Sequence, residues 1–475
     1  VPDLELCYLS AVEAVRRFTA KTLSPVEVME AVLARAEAVQ PTINAFTFTY
    51  FDEAMEAARA AEARYAKGAP LGPLDGLPVA IKDESFIAGK PTSFGSVFMK
   101  DYVPDHTSAI NQRIIEAGGI VHARSATPEF SCAAYTWSRL WGVTRNPWNP
   151  DFTPGGSSGG SAAALAAGIT TIATGSDIGG SIRIPASCSG VVGFKPPYGR
   201  NPDEPPFNLD PYCHTGPLAR TVSDSILLQN VMCGPYEKDI ATLRPKLTLP
   251  SDYDSIAGWK IAYSRDLGFF EVDPEVERNT QAALDVFRSL GATVEEVDLD
   301  WGHWAFDAAM SHLSFTAGGE LAALLDEHGD EMCNYTRHLA ELGRQTHGPD
   351  FVTTMTAAAR MYDSLGPILE SHDVLICPTN AIPAVAADFD YVTDSVEVNG
   401  KAVDAALGWV MTTPFNTLSR CPVLAVPSGR AANGVPTGIQ IVGRTYCDED
   451  VMRAGMAYEA ALGGWYGSPD MRPAL

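Results

Sequence analysis

An α/β fold is predicted for this 475-residue chain by three observations. From Leu74 onward, short apolar runs of strand length recur, beginning with Val79-Ala80-Ile81. Segments of helical length and helical periodicity separate them, an alternation that places helices against a sheet. No repeat of 20–50 residues and no long linker interrupts the pattern, which argues for one domain.

The elements follow in chain order. Residues 9 to about 66 read as helical. Ser24-Pro25 is an N-cap with proline at the first helical position, after which Val28, Val32, Ala36 and Val39 share a face. Asp52 to Ala66 is alanine-rich and amphipathic. Val79–Ile81 and Gly119–Ala123 read as buried strands with a helix near Ala109–Ala117 between them. Ser161 to Gly168 is a helix of small residues ended by glycine, and Ile169–Thr174 is a strand. Asn201 to Pro206 is a loop. Trp259–Ser264, Val276–Leu290 and Ala292–Val297 read as strand, helix, strand; 301–371 is mostly helical. Val374–Pro378, Val423–Val426 and Gly438–Val442 resume the buried-strand texture.

The balance of 34 Lys+Arg against 58 Asp+Glu gives a net charge of −24. A nucleic-acid backbone or an anionic membrane surface calls for clustered Lys/Arg, so neither is the expected partner. Nine cysteines without a C-x-x-C pair, and histidines without H-E-x-x-H, point away from a disulfide framework or a zinc site. A reducing, cytoplasmic compartment is expected, with no apolar run of the ~20 residues that a membrane span needs and no basic-then-apolar leader at the start.

Three segments carry chemistry. Gly155-Gly156-Ser157-Ser158-Gly159-Gly160 follows a proline-framed aromatic tract, Asn146-Pro147-Trp148-Asn149-Pro150, and leads straight into a helix, a frame that a flexible linker does not need. A phosphate loop would require a lysine after its last glycine, and none follows Gly160. In Asp177-Ile178-Gly179-Gly180-Ser181-Ile182-Arg183 the glycines expose consecutive N–H groups before a serine, as the oxyanion of an attacked carbonyl requires. Lys82 ends the apolar run Val79-Ala80-Ile81, where burial lowers the pKa of a lysine; about 4 kcal/mol of desolvation brings it near neutrality. A lysine and two serines suffice for a base, a relay and a nucleophile. The rival is a Ser-His-Asp triad. Gly155–Gly159 spells G-x-S-x-G, but Asp151-Phe152-Thr153-Pro154 is not the strand that such an elbow needs, and His214 is the available histidine.

On these segments the chain resembles the amidase signature family. The likeness runs from the helical N-terminus through Lys82 and the core Gly155–Lys195, then through Gly216–Asp224, to Gly438–Gly443. It implies a single α/β/α domain around a large mixed sheet, with 1–66 a helical segment packed on a domain spanning 67–475. It also implies a triad of Lys82, Ser157 joined by a cis peptide, and Ser181, the two serines being 24 positions apart as in the family, and an oxyanion hole from the N–H groups of Ile178, Gly179, Gly180 and Ser181. No metal or other cofactor is expected. The chain departs from the family at Arg124-Ser125-Ala126 (usually Lys-Thr-Asn), at Lys195-Pro196-Pro197 (usually Lys-Pro-Thr), and at Arg420 (usually Gly). The variant Phe194–Arg200 is similar to the carbamate-cleaving urethanase branch.

The resemblance implies a serine hydrolase of small amides, anilides or carbamates. Its alternative is a glutaminase-type subunit of a tRNA-dependent amidotransferase. Substrate contacts are expected from 301–371 and from Phe130, Tyr135, Trp137, Trp141, Tyr198 and Arg200, the chain acting as a monomer or homodimer.

Overall fold

The computed structural model describes residues 3–475. Eleven strands form one mixed sheet: β1 Phe46–Thr49, β2 Pro78–Lys82, β3 Ile120–Ser125, β4 Ile172–Asp177, β5 Val192–Lys195, β6 His214–Ala219, β7 Lys260–Tyr263, β8 Thr293–Glu296, β9 Val374–Pro378, β10 Val423–Arg430 and β11 Pro436–Val442. Their spatial order is β1-β3-β2-β4-β6-β5-β10-β11-β9-β7-β8. The strands β3, β2 and β4 run parallel, as do β9, β7 and β8; the pairings between these two groups, and that of β1 with β3, are antiparallel.

Both faces of the sheet are covered, and the strand sequences show why. Side chains alternate across a strand. In β2, Val79 and Ile81 enter a core with Phe18, Val28, Ile110 and Leu228, whereas Ala80 faces the small-residue helix Gly159–Ala166. In β9, Ile376 joins one core and Leu375 and Cys377 another. A strand buried on both sides carries apolar residues at every position, which is the texture seen in the sequence. The result is the α/β/α layering and large mixed sheet that the resemblance implies.

Three strands lie where the sequence reading has none. The stretch read as helical from 9 to about 66 is interrupted by β1, which pairs antiparallel with β3 between the helices Pro25–Ile43 and Phe51–Lys67. The strands β5 and β6 fill the centre of the sheet. β4 begins and ends three residues later than expected, so that it delivers Asp177 to the sheet's end, opposite His214. Region 301–371 is helical, with its main helices at His303–Leu313, Asn334–Gln345 and Gly348–Ser371. None of the described helices is long and apolar enough to cross a membrane.

Candidate active site

Lys82 is the last residue of β2, and the loop 178–182 leaves the same end of the parallel neighbour β4. Ligands in α/β sheets bind beyond the carboxyl ends of such strands. Ser157 arrives there from the other direction, just before helix Gly159–Ala166, whose Ser161 hydroxyl donates to the Thr174 carbonyl (2.8 Å) and bonds the Ser125 hydroxyl (2.7 Å). The Gly156–Ser157 peptide is cis. A Cβ on Gly156 would lie 2.4 Å from the Tyr135 carbonyl oxygen, so only glycine fits there.

The lysine and Ser157 meet directly. Lys82 Nζ donates to Ser157 Oγ at 2.7 Å and to Ser176 Oγ at 2.9 Å, and Glu84 Oε2 lies 2.9 Å from the same nitrogen. Burial lowers the Lys82 pKa, and the Glu84 charge opposes that shift. Burial alone would raise Glu84; the Lys82 charge and hydrogen bonds from Ser131 and Ser176 hold it below the ordinary carboxylate range. Ser181 joins the group through its backbone, its carbonyl accepting the Ser158 N–H at 3.1 Å. Ser181 is 7% exposed where Ser157 is 0%.

The loop that carries Ser181 is tied at both ends. Arg183 forms a bidentate pair with Asp177 (2.9 and 2.8 Å), and Asn416 donates to the same carboxylate at 2.8 Å. Burial works to raise the Asp177 pKa, but Arg183 and Asn416 hold it lower than usual. The N–H groups of Ile182 and Arg183 turn inward to Asp177 (3.2 and 3.4 Å). Those of Ile178, Gly179, Gly180 and Ser181 donate to none of the described residues. Thr412 Oγ1 donates to the Gly179 carbonyl at 2.7 Å, which fixes the orientation of the Gly179–Gly180 peptide. Gly180 has φ +127°, and a Cβ there would lie 2.0 Å from Thr412 Oγ1. Unengaged N–H groups at a fixed angle beside a serine suit a developing oxyanion.

The remaining expected residues fall into different surroundings. Tyr135 and Trp137 stack at 6.3 Å and meet Tyr335 edge-on; Tyr135 is fully buried, and its backbone backs the Gly156–Ser157 peptide. Phe130 stacks on Phe94 in a turn with φ +49°. Trp141 Nε1 donates to Ser93 Oγ. Tyr198 donates to the Asn208 carbonyl, and Arg200 makes a bidentate pair with Asp448. His214, the histidine of the rival triad, has no partner for either ring nitrogen among the described residues, and burial with the nearby Lys195 and Arg183 charges keeps it neutral.

Sequence reasoning missed Glu84, Ser176, Thr412 and Asn416. Ser176, Thr412 and Asn416 make their contacts across separate strands or loops, and Glu84 reaches Lys82 through a tight turn that no motif marks. It also missed the third dimension of region 301–371. A Cβ at Gly179 would have Leu313 and Leu407 at 3.7 Å and Thr413 at 4.0 Å, so the helix His303–Leu313 ends against the glycine loop after β4.

Known proteins share this architecture over nearly the whole chain. The chain is 33% identical to an acylamidase from Rhodococcus erythropolis, with 96% of each protein covered. It is also 33% identical to a subunit of the glutamyl-tRNA(Gln) amidotransferase of Chloroflexus aurantiacus, covering 96% of this chain and 97% of the relative. The crystal structure of a bacterial aryl acylamidase of the amidase signature enzymes superposes with a TM-score of 0.89 at 31% identity over 96% of both chains. Residues 27–452 match the amidase family. A lysine–serine contact beneath a glycine loop, on a sheet and sequence shared from end to end with such enzymes, leads to one assignment: this chain belongs to the amidase signature family and is a hydrolase of carbon–nitrogen bonds.

Proposed function

We propose that the chain cleaves small aryl amides, anilides or carbamates through Lys82, Ser157 and Ser181. The observation that carries this reading is the 2.7 Å contact between Lys82 Nζ and the buried Ser157 Oγ, next to a more exposed Ser181. Neutral Lys82 accepts the Ser157 proton while Ser157 accepts that of Ser181, and Ser181 Oγ bonds to the substrate carbonyl carbon. The N–H groups of residues 178–181 receive the oxyanion. The relay then returns the proton to the leaving nitrogen as the C–N bond breaks. Water, deprotonated by the same relay, cleaves the acyl-enzyme ester and restores Ser181. With a carbamate, loss of the amine leaves a carbonate-type ester, which water releases as alcohol and carbon dioxide.

The aryl preference is supported by the likeness to an aryl acylamidase and by the leucines beside Gly179. Within the chain, we assign 301–371 the role of a substrate wall, and Phe130 and Trp141 positions near its mouth. The test is a panel of anilides, aryl amides, carbamates and glutamine given to the purified chain and to Ser181→Ala. The expected result is turnover of aryl amides or carbamates without a partner, lost by about 10³-fold or more in the folded Ser181→Ala variant. Full activity of that variant would overturn the triad; turnover of glutamine alone, dependent on added subunits, would favour the amidotransferase reading.

A further inference from the structure

The triad reading leaves out one half-buried charge that touches its base. Lys82 Nζ has three acceptors around it: Ser157 Oγ at 2.7 Å, Ser176 Oγ at 2.9 Å and Glu84 Oε2 at 2.9 Å. An ammonium has three donors, so this shell fits the protonated lysine. A neutral amine has two donors and a lone pair. If Glu84 and Ser176 keep the two donors, the lone pair is left facing Ser157, as proton abstraction from that hydroxyl requires.

Several contacts hold Glu84 in this position. Its N–H donates to the Lys82 carbonyl at 2.8 Å, a three-residue turn that folds the side chain back toward the lysine. Arg124 donates to the Lys82 and Ser85 carbonyls at 3.1 and 2.5 Å and so clamps that turn. From another segment, Ser131 Oγ donates to Glu84 Oε2 at 2.5 Å, itself bonded to Thr127 Oγ1 at 3.0 Å. Ser131 has φ +59° beside Phe130 at +49°, and the turn they make aims the hydroxyl at the carboxylate.

We propose that Glu84 is a positioning residue for the Lys82 base: its carboxylate directs the amine's lone pair at Ser157 and sets the pH at which that amine becomes available. The proposal rests on the triad reading above. The other charged or titratable groups facing the pair are Asp177 from β4, Arg124 and Asp83 from the β2–β3 side, Asp203 and Cys213 from the loop between β5 and β6, and Cys132 beside Ser131. Asp203 is the one that burial brings to about 7, so it needs its own control.

The experiment is the pH dependence of kcat and kcat/KM on an aryl amide for wild type, Glu84→Gln, Glu84→Ala, Glu84→Asp, Asp203→Asn and Lys82→Met, with folding followed by circular dichroism. Removing the charge removes what favours the ammonium, so the acid limb of Glu84→Gln is expected to move down by about one to three pH units. The glutamine oxygen still accepts from Nζ, so its plateau is expected to stay within about tenfold of wild type. Glu84→Ala loses the acceptor too; its plateau is expected to fall a further tenfold or more in kcat, with KM little changed. Glu84→Asp keeps the charge but withdraws it, and its limb is expected between those of wild type and Glu84→Gln; if the glutamine variant does not fold, this variant decides. Limbs of Glu84→Gln and Glu84→Asp that coincide with wild type, or a limb moved by Asp203→Asn alone, would overturn the proposal. Full activity of Lys82→Met would instead overturn the triad, while an inactive Lys82→Met with an unmoved Glu84→Gln limb would sink only the role of Glu84.

Discussion

Lys82 shows how a residue's chemistry depends on its depth. An exposed lysine has a pKa near ~10.4 and is almost wholly charged at neutral pH. Here desolvation lowers that value and Glu84 limits the decrease; in the proposed mechanism, loss of the proton creates the base. The sign follows directly: protonated Lys82 cannot accept from Ser157, so kcat/KM is expected to rise tenfold per pH unit below the lysine's pKa and level off above it. A flat profile between about pH 6 and 9, measured on a neutral amide, would exclude a Lys82 base that gains its active form in that range. His214→Gln separates the rival: a histidine without hydrogen-bond partners has no proton relay, and its replacement is expected to leave the acid limb in place. Lys82, Ser157 and Ser181 could be singled out as candidates from the sequence because glycines or an apolar strand frame each of them, and the structure brings Lys82 and Ser157 into contact. Glu84 could not be, because a carboxylate after Lys-Asp resembles any surface acid until the turn at 82–84 and Ser131, 47 positions away, are in view.

The same limit holds for the secondary structure, where burial decided what could be read. Apolar runs such as Val79–Ile81 and Val374–Pro378 announced themselves. β6 did not, because His-Thr-Gly-Pro-Leu-Ala contains a glycine–proline pair that normally signals a turn, yet Pro217 sits in the ladder opposite Thr174. β1 is four residues long and edges the sheet between two strong helices, so local propensity favoured continuing the helix. The loop after β4 was read for its glycines, but its shape depends on the buried Asp177–Arg183 pair that closes it. Removing one partner of such a pair commonly costs about 3–5 kcal/mol. Asp177→Asn is therefore expected to lower Tm and to lower kcat by loosening the loop. Asp177 has a depressed folded-state pKa, so its ionised form adds stability above the unfolded value of about 3.9, and that contribution is lost as pH falls through the folded value. The Tm gap between wild type and Asp177→Asn is expected to be full at pH 6–7 and to narrow below about pH 4. A gap that stays constant down to pH 3, in a protein still folded there, would show that the charge of Asp177 is not what ties the loop.

On the proposed function, substrate choice belongs to the whole molecule, because the side chains nearest the glycine loop come from distant parts of the chain. Gly179 lies on the loop after β4, yet the apolar groups beside it are Leu313, at the end of the helix His303–Leu313, and Leu407, from the segment before Thr412. Thr412 in turn fixes the Gly179 carbonyl, so one segment both orients the glycine peptide and lines the space next to it. In the proposed mechanism the lysine and serines sit on short connections of the sheet, whereas the proposed wall comes from the helical region 301–371 and the loop around 407, which can vary without disturbing them. This separation makes specificity adjustable at Leu313. Truncation to alanine removes three carbons from a buried side chain, and a pocket difference of about one methylene already discriminates substrates by roughly 10–200-fold. Leu313→Ala is expected to raise the ratio of kcat/KM for a bulky acyl anilide over acetanilide by about tenfold or more. The acid limb of the pH profile is expected to stay fixed, because no atom of the Lys82 shell is touched. The cavity will cost stability, about 2–5 kcal/mol for a buried leucine, so the comparison is made well below the variant's Tm. An unchanged selectivity ratio in a folded Leu313→Ala enzyme would remove this helix from the substrate wall; a changed ratio with a displaced limb would mean that the helix acts on the base rather than on the substrate.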